Sequence, residues 1–168
     1  NENLLKFSRH YCDSIKSIDI MGVWSVPNYD WLANTYCPDA QYTRLWGLEP
    51  YHFSNPWSIN LQDKNVLVIH PFAKSIKSNY KNRCHLFNNP DVLPQFNLLT
   101  LKPFTVNPSI PKSDDRSDIY LDYFKCIELT TEQIKEIDFD IAIIGCGSSG
   151  LPISSYIKNK LNKIAIHM

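Results

Sequence analysis

The segment from Asp140 to His167 constrains the fold more than any other part of the chain. It reads as an apolar run at Asp140 to Ile144, a glycine-rich stretch at Gly145 to Gly150, an amphipathic stretch at Leu151 to Leu161, and a second apolar run at Lys163 to His167. A strand, a glycine turn, a helix and another strand in this order form a βαβ unit, whose two strands are parallel. The sequence therefore predicts an α/β fold.

The residues upstream extend the same alternation. The further predicted elements are a strand at Asn65 to Ile69, a helix from Ala73 to Phe87, a strand at Asn97 to Leu101 and a helical stretch from Ser117 to Ile137. Thr130 and Gln133 have the spacing of a capping box, which could divide the last stretch into two helices meeting near Leu129. Strands that alternate with helices predict a Rossmann-like, three-layer domain with a mostly parallel sheet and a βαβ core over residues 63–168.

Residues 1–62 are predicted to form an irregular, aromatic-rich flank within the same single domain. Leu4 to Ile18 has helical periodicity, while Ile18 to Trp24 and Tyr42 to Trp46 are weaker strand candidates. Arg44 and Glu49 are the two charged residues of an otherwise apolar segment, and we expect them to pair.

Composition excludes several classes of protein. Of the 168 residues, 43% are hydrophobic and 20% are charged, as in a packed globular domain. Seventeen basic residues balance seventeen acidic ones, which disfavours a nucleic-acid partner, and no apolar run reaches the length of about 20 residues that a transmembrane helix needs. The five cysteines are scattered without a C-x-x-C pair, so we expect reduced thiols, no metal site and a cytoplasmic protein.

The glycine turn has the pattern G-x-G-x-x-G between a predicted strand and a predicted helix. Its candidate ligand-binding residues are Gly145, Gly147, Ser148, Ser149 and Gly150. Glycines allow backbone to approach a ligand closely, and free amides at a helix N-terminus favour a phosphate. The alternative is that the glycines only allow a strand and a helix to pack closely. An NAD enzyme would place an acidic residue at the end of the next strand, where this chain has His167 and Met168.

Other candidate residues follow the remaining strands. His70 and His167 end two of them and are the candidate catalytic residues, since an imidazole can bind phosphate or act as a base. Lys74 and Ser75 begin the helix after His70, and Lys102 follows a third strand. Because the carboxyl ends of parallel strands share one edge of a sheet, we expect all of these side chains near one cleft. The alternatives are structural hydrogen bonding for the histidines and solvent exposure for the lysines.

Three segments together resemble a family of bacterial and viral glycosyltransferase-like proteins of surface-polysaccharide biosynthesis. They are Val66 to Phe72, Asn89 to Pro94 and Asp138 to Gly147. The layout is similar to the GT-D class of glycosyltransferases, and the resemblance runs from about Leu4 to Met168. It implies a Rossmann-like domain that binds a nucleotide sugar. The Arg-x-Gly-x-x-Glu pattern expected near the start is missing, and the glycine-rich continuation expected after Met168 lies beyond the end, so we expect a fragment of a longer protein.

These observations predict transfer of a sugar from a nucleotide sugar to a glycan acceptor. The glycine turn and residues 70–75 would hold the diphosphate, while His167 and Lys102 would face the sugar or the acceptor. No further cofactor is implied. The alternatives are an NAD(P)-dependent oxidoreductase and a non-catalytic nucleotide-binding or assembly module.

Overall fold

The computed structural model describes residues 2–105 and 122–168, which form five α-helices and six strands. The helices are α1 (Glu2–Ile15), α2 (Tyr29–Tyr36), α3 (Ala73–Tyr80), α4 (Tyr123–Lys135) and α5 (Gly150–Leu161). The strands are β1 (Ile20–Val23), β2 (Gln41–Arg44), β3 (Asn65–Ile69), β4 (Asn97–Leu101), β5 (Ile141–Ile144) and β6 (Ile164–His167). The mixed α/β class and the parallel strand pairing predicted from the sequence are confirmed.

Four strands form the main sheet in the order β4-β3-β5-β6, with every neighbouring pair parallel. From β3 the chain first adds β4 on one side. It then crosses back to add β5 on the other side of β3, and β6 beyond it. The direction of winding thus reverses between β3 and β5, and in open parallel sheets the crevice at such a reversal is where ligands bind.

Alternation along the strands supplies a core on each face of the sheet. Leu67 and Ala142 contribute to a cluster with Ile127 of α4 and Ile153 of α5. Val66 and Ile141, one residue earlier on the same strands, instead join a cluster that Tyr80 of α3 packs against. Helices α4 and α5 therefore cover one face and α3 lies on the other, so the connections that follow β3 and β5 leave the sheet in opposite directions.

The first 62 residues are more regular than the predicted irregular flank. Strands β1 and β2, connected through α2, form a separate two-stranded parallel sheet. Its core includes Ile15 and Met21, and Leu151 of α5 packs against it, which attaches the unit to the main domain. The expected pair of Arg44 and Glu49 is wrong, because the Glu49 carboxylate bonds the His52 ring instead, at 2.9 Å.

Two helix predictions need correction. Helix α3 ends at Tyr80 and not at Phe87, because the chain continues as a turn and a 3-10 helix at Arg83–His85. The Tyr80 hydroxyl bonds the backbone of Pro94 and Phe96 beside β4. Helix α4 is continuous through Leu129. The Thr130 hydroxyl bonds the Cys126 carbonyl one turn earlier, so it does not cap a second helix. The part of the predicted helix before Asp122 lies outside the described residues.

Within the described ranges, no helix has both the length and the apolar character required to cross a membrane.

Candidate functional site

The turns that follow β3 and β5 lie side by side at the carboxyl edge of the main sheet. The Gly145 amide donates to the Ile69 carbonyl at 2.9 Å, and Ile69 pairs with Ile144 in the parallel register. His70 therefore stands beside Gly145, one step beyond the last paired residues. On the other side of β5, Ile144 pairs with His167. The structure thus brings both predicted histidines to the two flanks of the glycine turn.

The three glycines of the turn are required for two different reasons. A Cβ at Gly145 would lie 2.7 Å from Cδ2 of His70, and a Cβ at Gly150 would overlap the ring of His167. Both distances are shorter than real contacts allow, so these two glycines let the histidine rings pack against the backbone. Gly147 has φ +61°, and a Cβ there would meet nothing within 4 Å. Gly147 is therefore required for its left-handed conformation, and the space above it is open.

The packing alternative consequently accounts for two of the three glycines but not for the third. Gly147 and Ser148 are exposed and Ser149 is half-buried, so the bend is not filled by side chains. Residues Gly147–Ser149 form a single 3-10 turn that leads directly into α5, and the Ser149 side chain makes no cap hydrogen bond. The first amides of a helix have no partner within the helix, and they carry partial positive charge.

His70 is held in one protonation form by its surroundings. Its Nδ1 accepts a hydrogen bond from the Phe72 amide at 3.0 Å. Burial lowers the pKa of His70, which favours the neutral ring at neutral pH. A neutral imidazole that accepts at Nδ1 carries its proton on Nε2. His70 can therefore offer an N–H donor at the edge of the glycine turn.

His167 is more enclosed. Burial lowers the pKa of His167, while a hydrogen bond to the backbone of Gly147 acts in the opposite direction. The same ring also fills the space above Gly150. His167 thus contacts both ends of the 3-10 turn, and it supports the turn's conformation in addition to ending β6.

Tyr123 is a residue of this site that the sequence did not single out. Its hydroxyl donates to the Ser148 carbonyl at 2.9 Å, and its ring packs edge-on against Phe7 of α1 at 5.1 Å. Burial raises the pKa of Tyr123 to about 12, so the hydroxyl remains a donor at physiological pH. Helical periodicity marks Tyr123 only as a half-buried position of α4, and its contact with the turn depends on how α4 packs.

Cys146 lies inside the turn but is unsuited to nucleophilic chemistry. Burial raises the pKa of its thiol to about 12. Because the thiolate is the reactive form, this cysteine stays protonated and unreactive at neutral pH.

The remaining predicted residues follow β3 and β4 at the same edge of the main sheet. Lys74 and Ser75 are exposed in the first turn of α3. Lys102 is half-buried directly after β4, and two residues later the Phe104 amide bonds the Thr130 hydroxyl of α4. The structure therefore brings both histidine rings into contact with the glycine turn.

A shallow recess of about 460 Å³ lies elsewhere, at the start of β1 and β2. Lys158 lines it, but its ammonium already bonds the Ser17 carbonyl and the Asp19 carboxylate. We favour the glycine turn as the functional site, since the space above Gly147 is open and the turn leads into the N-terminus of α5.

Among residues 2–105 and 122–168, no three His, Cys, Asp or Glu side chains are grouped closely enough to hold a metal ion. Comparison of the chain with protein-family models, with curated proteins and with solved structures gave no significant match.

Proposed function

We propose that residues 63–168 form a Rossmann-like, three-layer domain that binds a nucleotide sugar at the glycine turn, and that the protein is a glycosyltransferase. The observation that carries this proposal is Gly147. It holds a left-handed conformation beneath open space, at the entrance to a helix without a side-chain cap, where the winding of the sheet reverses. That combination suits an anionic ligand such as a diphosphate.

The flanking residues support the proposal through their hydrogen-bonding capacity. The Nε2–H of His70 and the amides at the start of α5 would donate to phosphate oxygens. The Lys74 ammonium and the Ser75 hydroxyl would reach the same diphosphate from the start of α3. These donors would stabilise the negative charge that develops on the departing nucleotide, which is the main catalytic effect we expect.

In the transfer itself, the bond between the anomeric carbon and the diphosphate oxygen breaks as an acceptor hydroxyl bonds that carbon. The hydroxyl proton then needs a base. We assign this role to His167, since the pKa of its ring is lowered and the neutral form can accept a proton. Lys102 would face the sugar or the acceptor from the end of β4.

The first experiment is a thermal-shift screen with UDP-glucose, GDP-mannose, dTDP-glucose and CMP-sialic acid. A ligand that binds only the folded state raises the melting temperature, and we expect one nucleotide class to do so. Titration calorimetry then compares the wild type with Gly147→Val, for which we expect loss of measurable binding. The matched control is Asn162→Val, because Asn162 is also left-handed, with φ 53°, but lies at the far end of α5.

Equal affinity of the wild type and Gly147→Val would refute the assignment of the site. The NAD(P)-dependent alternative predicts enhanced NADH fluorescence on titration with the protein. The non-catalytic module predicts either no nucleotide binding or binding without release of the sugar.

A further inference from the structure

Five aromatic side chains form a connected cluster on the surface of the N-terminal part, and we call it the aromatic surface. Its members are Trp46, Tyr51, His52, Phe53 and Phe87. Trp46 stacks on Phe53 at 5.7 Å and meets the His52 ring edge-on at 6.1 Å, and His52 in turn contacts Tyr51 at 4.5 Å. The Tyr51 and Phe87 rings are nearly parallel, at 9°. Trp46 is 47% exposed and Tyr51 53% exposed. The cluster therefore presents two exposed aromatic rings close together on one surface.

The backbone beneath the aromatic surface is fixed. Trp46 and Tyr51 lie on two short 3-10 helices, Leu45–Leu48 and Pro50–His52. The Trp57 indole donates to the Leu48 carbonyl at 3.0 Å, and the Asn89 amide donates to the Ser54 carbonyl at 3.2 Å. These two bonds hold residues 45–57 together and join them to the segment at Asn89. A ligand would therefore meet a surface that is already ordered.

A carboxylate lies within the cluster. Glu49 accepts from Nε2 of His52 at 2.9 Å, and a hydrogen bond to Glu49 raises the pKa of the Tyr51 hydroxyl. A carboxylate has about four lone-pair sites, so Glu49 can still accept from further donors. The chain from 45 to 61 and from 84 to 96 contains no lysine or arginine, although Arg44 and Arg83 directly precede these two segments. The Arg83 guanidinium is already engaged, since it donates to the Gln95 side chain at 2.9 Å and lies over the Tyr80 ring.

These features select the class of ligand. The absence of lysine and arginine within these two segments disfavours nucleic acid and acidic glycans, whose binding depends on basic side chains. A proline-rich peptide suits aromatic rings, but proline has no amide N–H to offer the carboxylate. A neutral sugar presents apolar C–H faces to rings and several hydroxyl donors to a carboxylate.

We propose that the aromatic surface binds a neutral carbohydrate chain, with sugar rings stacked on Trp46 and Tyr51 and their hydroxyls bonded to Glu49 and His52. This site shares no residue with the glycine turn. It accounts for an ordered aromatic patch that nucleotide-sugar binding leaves unexplained.

The test uses cellohexaose, maltohexaose and mannohexaose in saturation-transfer NMR and titration calorimetry with the full chain. We expect at least one of them to bind, and Trp46→Ala to weaken its affinity at least tenfold. Trp31→Ala is the matched control, since Trp31 is 62% exposed but lies outside the aromatic surface. Glu49→Gln keeps the size of the side chain and should weaken binding several-fold, while Gly147→Val should leave it unchanged.

Lack of binding by all three hexasaccharides would overturn the proposal, as would equal losses in Trp46→Ala and Trp31→Ala. Binding of a decaproline peptide or of oligothymidylate at Trp46, in place of the sugars, would also overturn it. Failure of nucleotide-sugar binding affects only the function proposed for the glycine turn, because the two sites are assayed with different ligands.

Discussion

The two turns at the centre of the sheet edge differ in what they present there. After β5, three glycines in six residues bring the backbone against two histidine rings and leave Gly147 open to solvent. After β3, the residues are His70, Pro71 and Phe72, without a glycine, and the Phe72 ring is 53% exposed. One turn supplies backbone amides, and the other supplies a side chain that packs on it.

The difference shows that the pattern G-x-G-x-x-G cannot be interpreted from one turn alone. Gly145 must be a glycine because the His70 ring, in the turn after β3, packs against it. Gly150 must be a glycine because the His167 ring, at the end of β6, packs against it. Only Gly147 is required by its own backbone conformation. The predictions below test whether the two turns are coupled in this way.

The largest expected effect is that of Gly150→Ala. In an ordinary helix, alanine in place of glycine stabilises by about 0.5–1 kcal/mol. Here the added methyl group would overlap the His167 ring, and we expect a net loss of about 2–3 kcal/mol, as for overpacked cores. Urea unfolding measures this loss. His167→Ala should restore much of it in the double variant, and strictly additive losses would contradict the proposed contact.

Gly145→Ala should cost less, about 1–2 kcal/mol. The new methyl group would approach Cδ2 of His70, a half-buried ring that can rotate away at the cost of its hydrogen bond from Phe72. The same unfolding assay applies, with His70→Ala as the compensating change. If Gly145→Ala is as stable as the wild type, the two turns are not in contact as described.

Tyr123→Phe removes the hydroxyl that bonds the Ser148 carbonyl, for which we expect a loss of about 1 kcal/mol. Tyr156→Phe is the control, since the Tyr156 hydroxyl has no hydrogen bond to a described residue. The Ser148 and Ser149 amide signals in a ¹⁵N correlation spectrum should move in the first variant and stay in place in the second. Identical spectra would show that Tyr123 does not hold the turn.

The smallest effect concerns pH. His70 and His167 both have a pKa below the ordinary value, so the unfolded chain binds more protons than the native one just below pH 6.5. Their contribution to stability is complete above pH 6.5 and is lost as the pH falls through their folded pKa values. The double variant with alanine at both positions should show a shallower fall in unfolding free energy between pH 7 and pH 5. An unchanged slope would contradict the burial of both rings.

Much of the core was predictable because its signals are local. The apolar runs of β3 and β5 and the glycine turn depend on residues adjacent in sequence, and each was located to within one or two residues. The end of α3 was missed because a 3-10 turn, with three residues per turn, gives nearly the same apolar spacing as an α-helix, and such a turn follows at Arg83–His85. The capping box was misread because Thr130 bonds its own helix and the Phe104 amide, 26 residues away.

By itself, the sequence determined the strand and helix alternation, the parallel pairing and the positions of both histidines at strand ends. Hydrophobic periodicity and glycine content act over a few residues, so they need no knowledge of the fold. Only the tertiary structure decided which ring packs on which glycine, that Tyr123 bonds the turn, and that five aromatic rings meet on one surface. Those contacts join residues distant in sequence, and packing of whole elements brings them together.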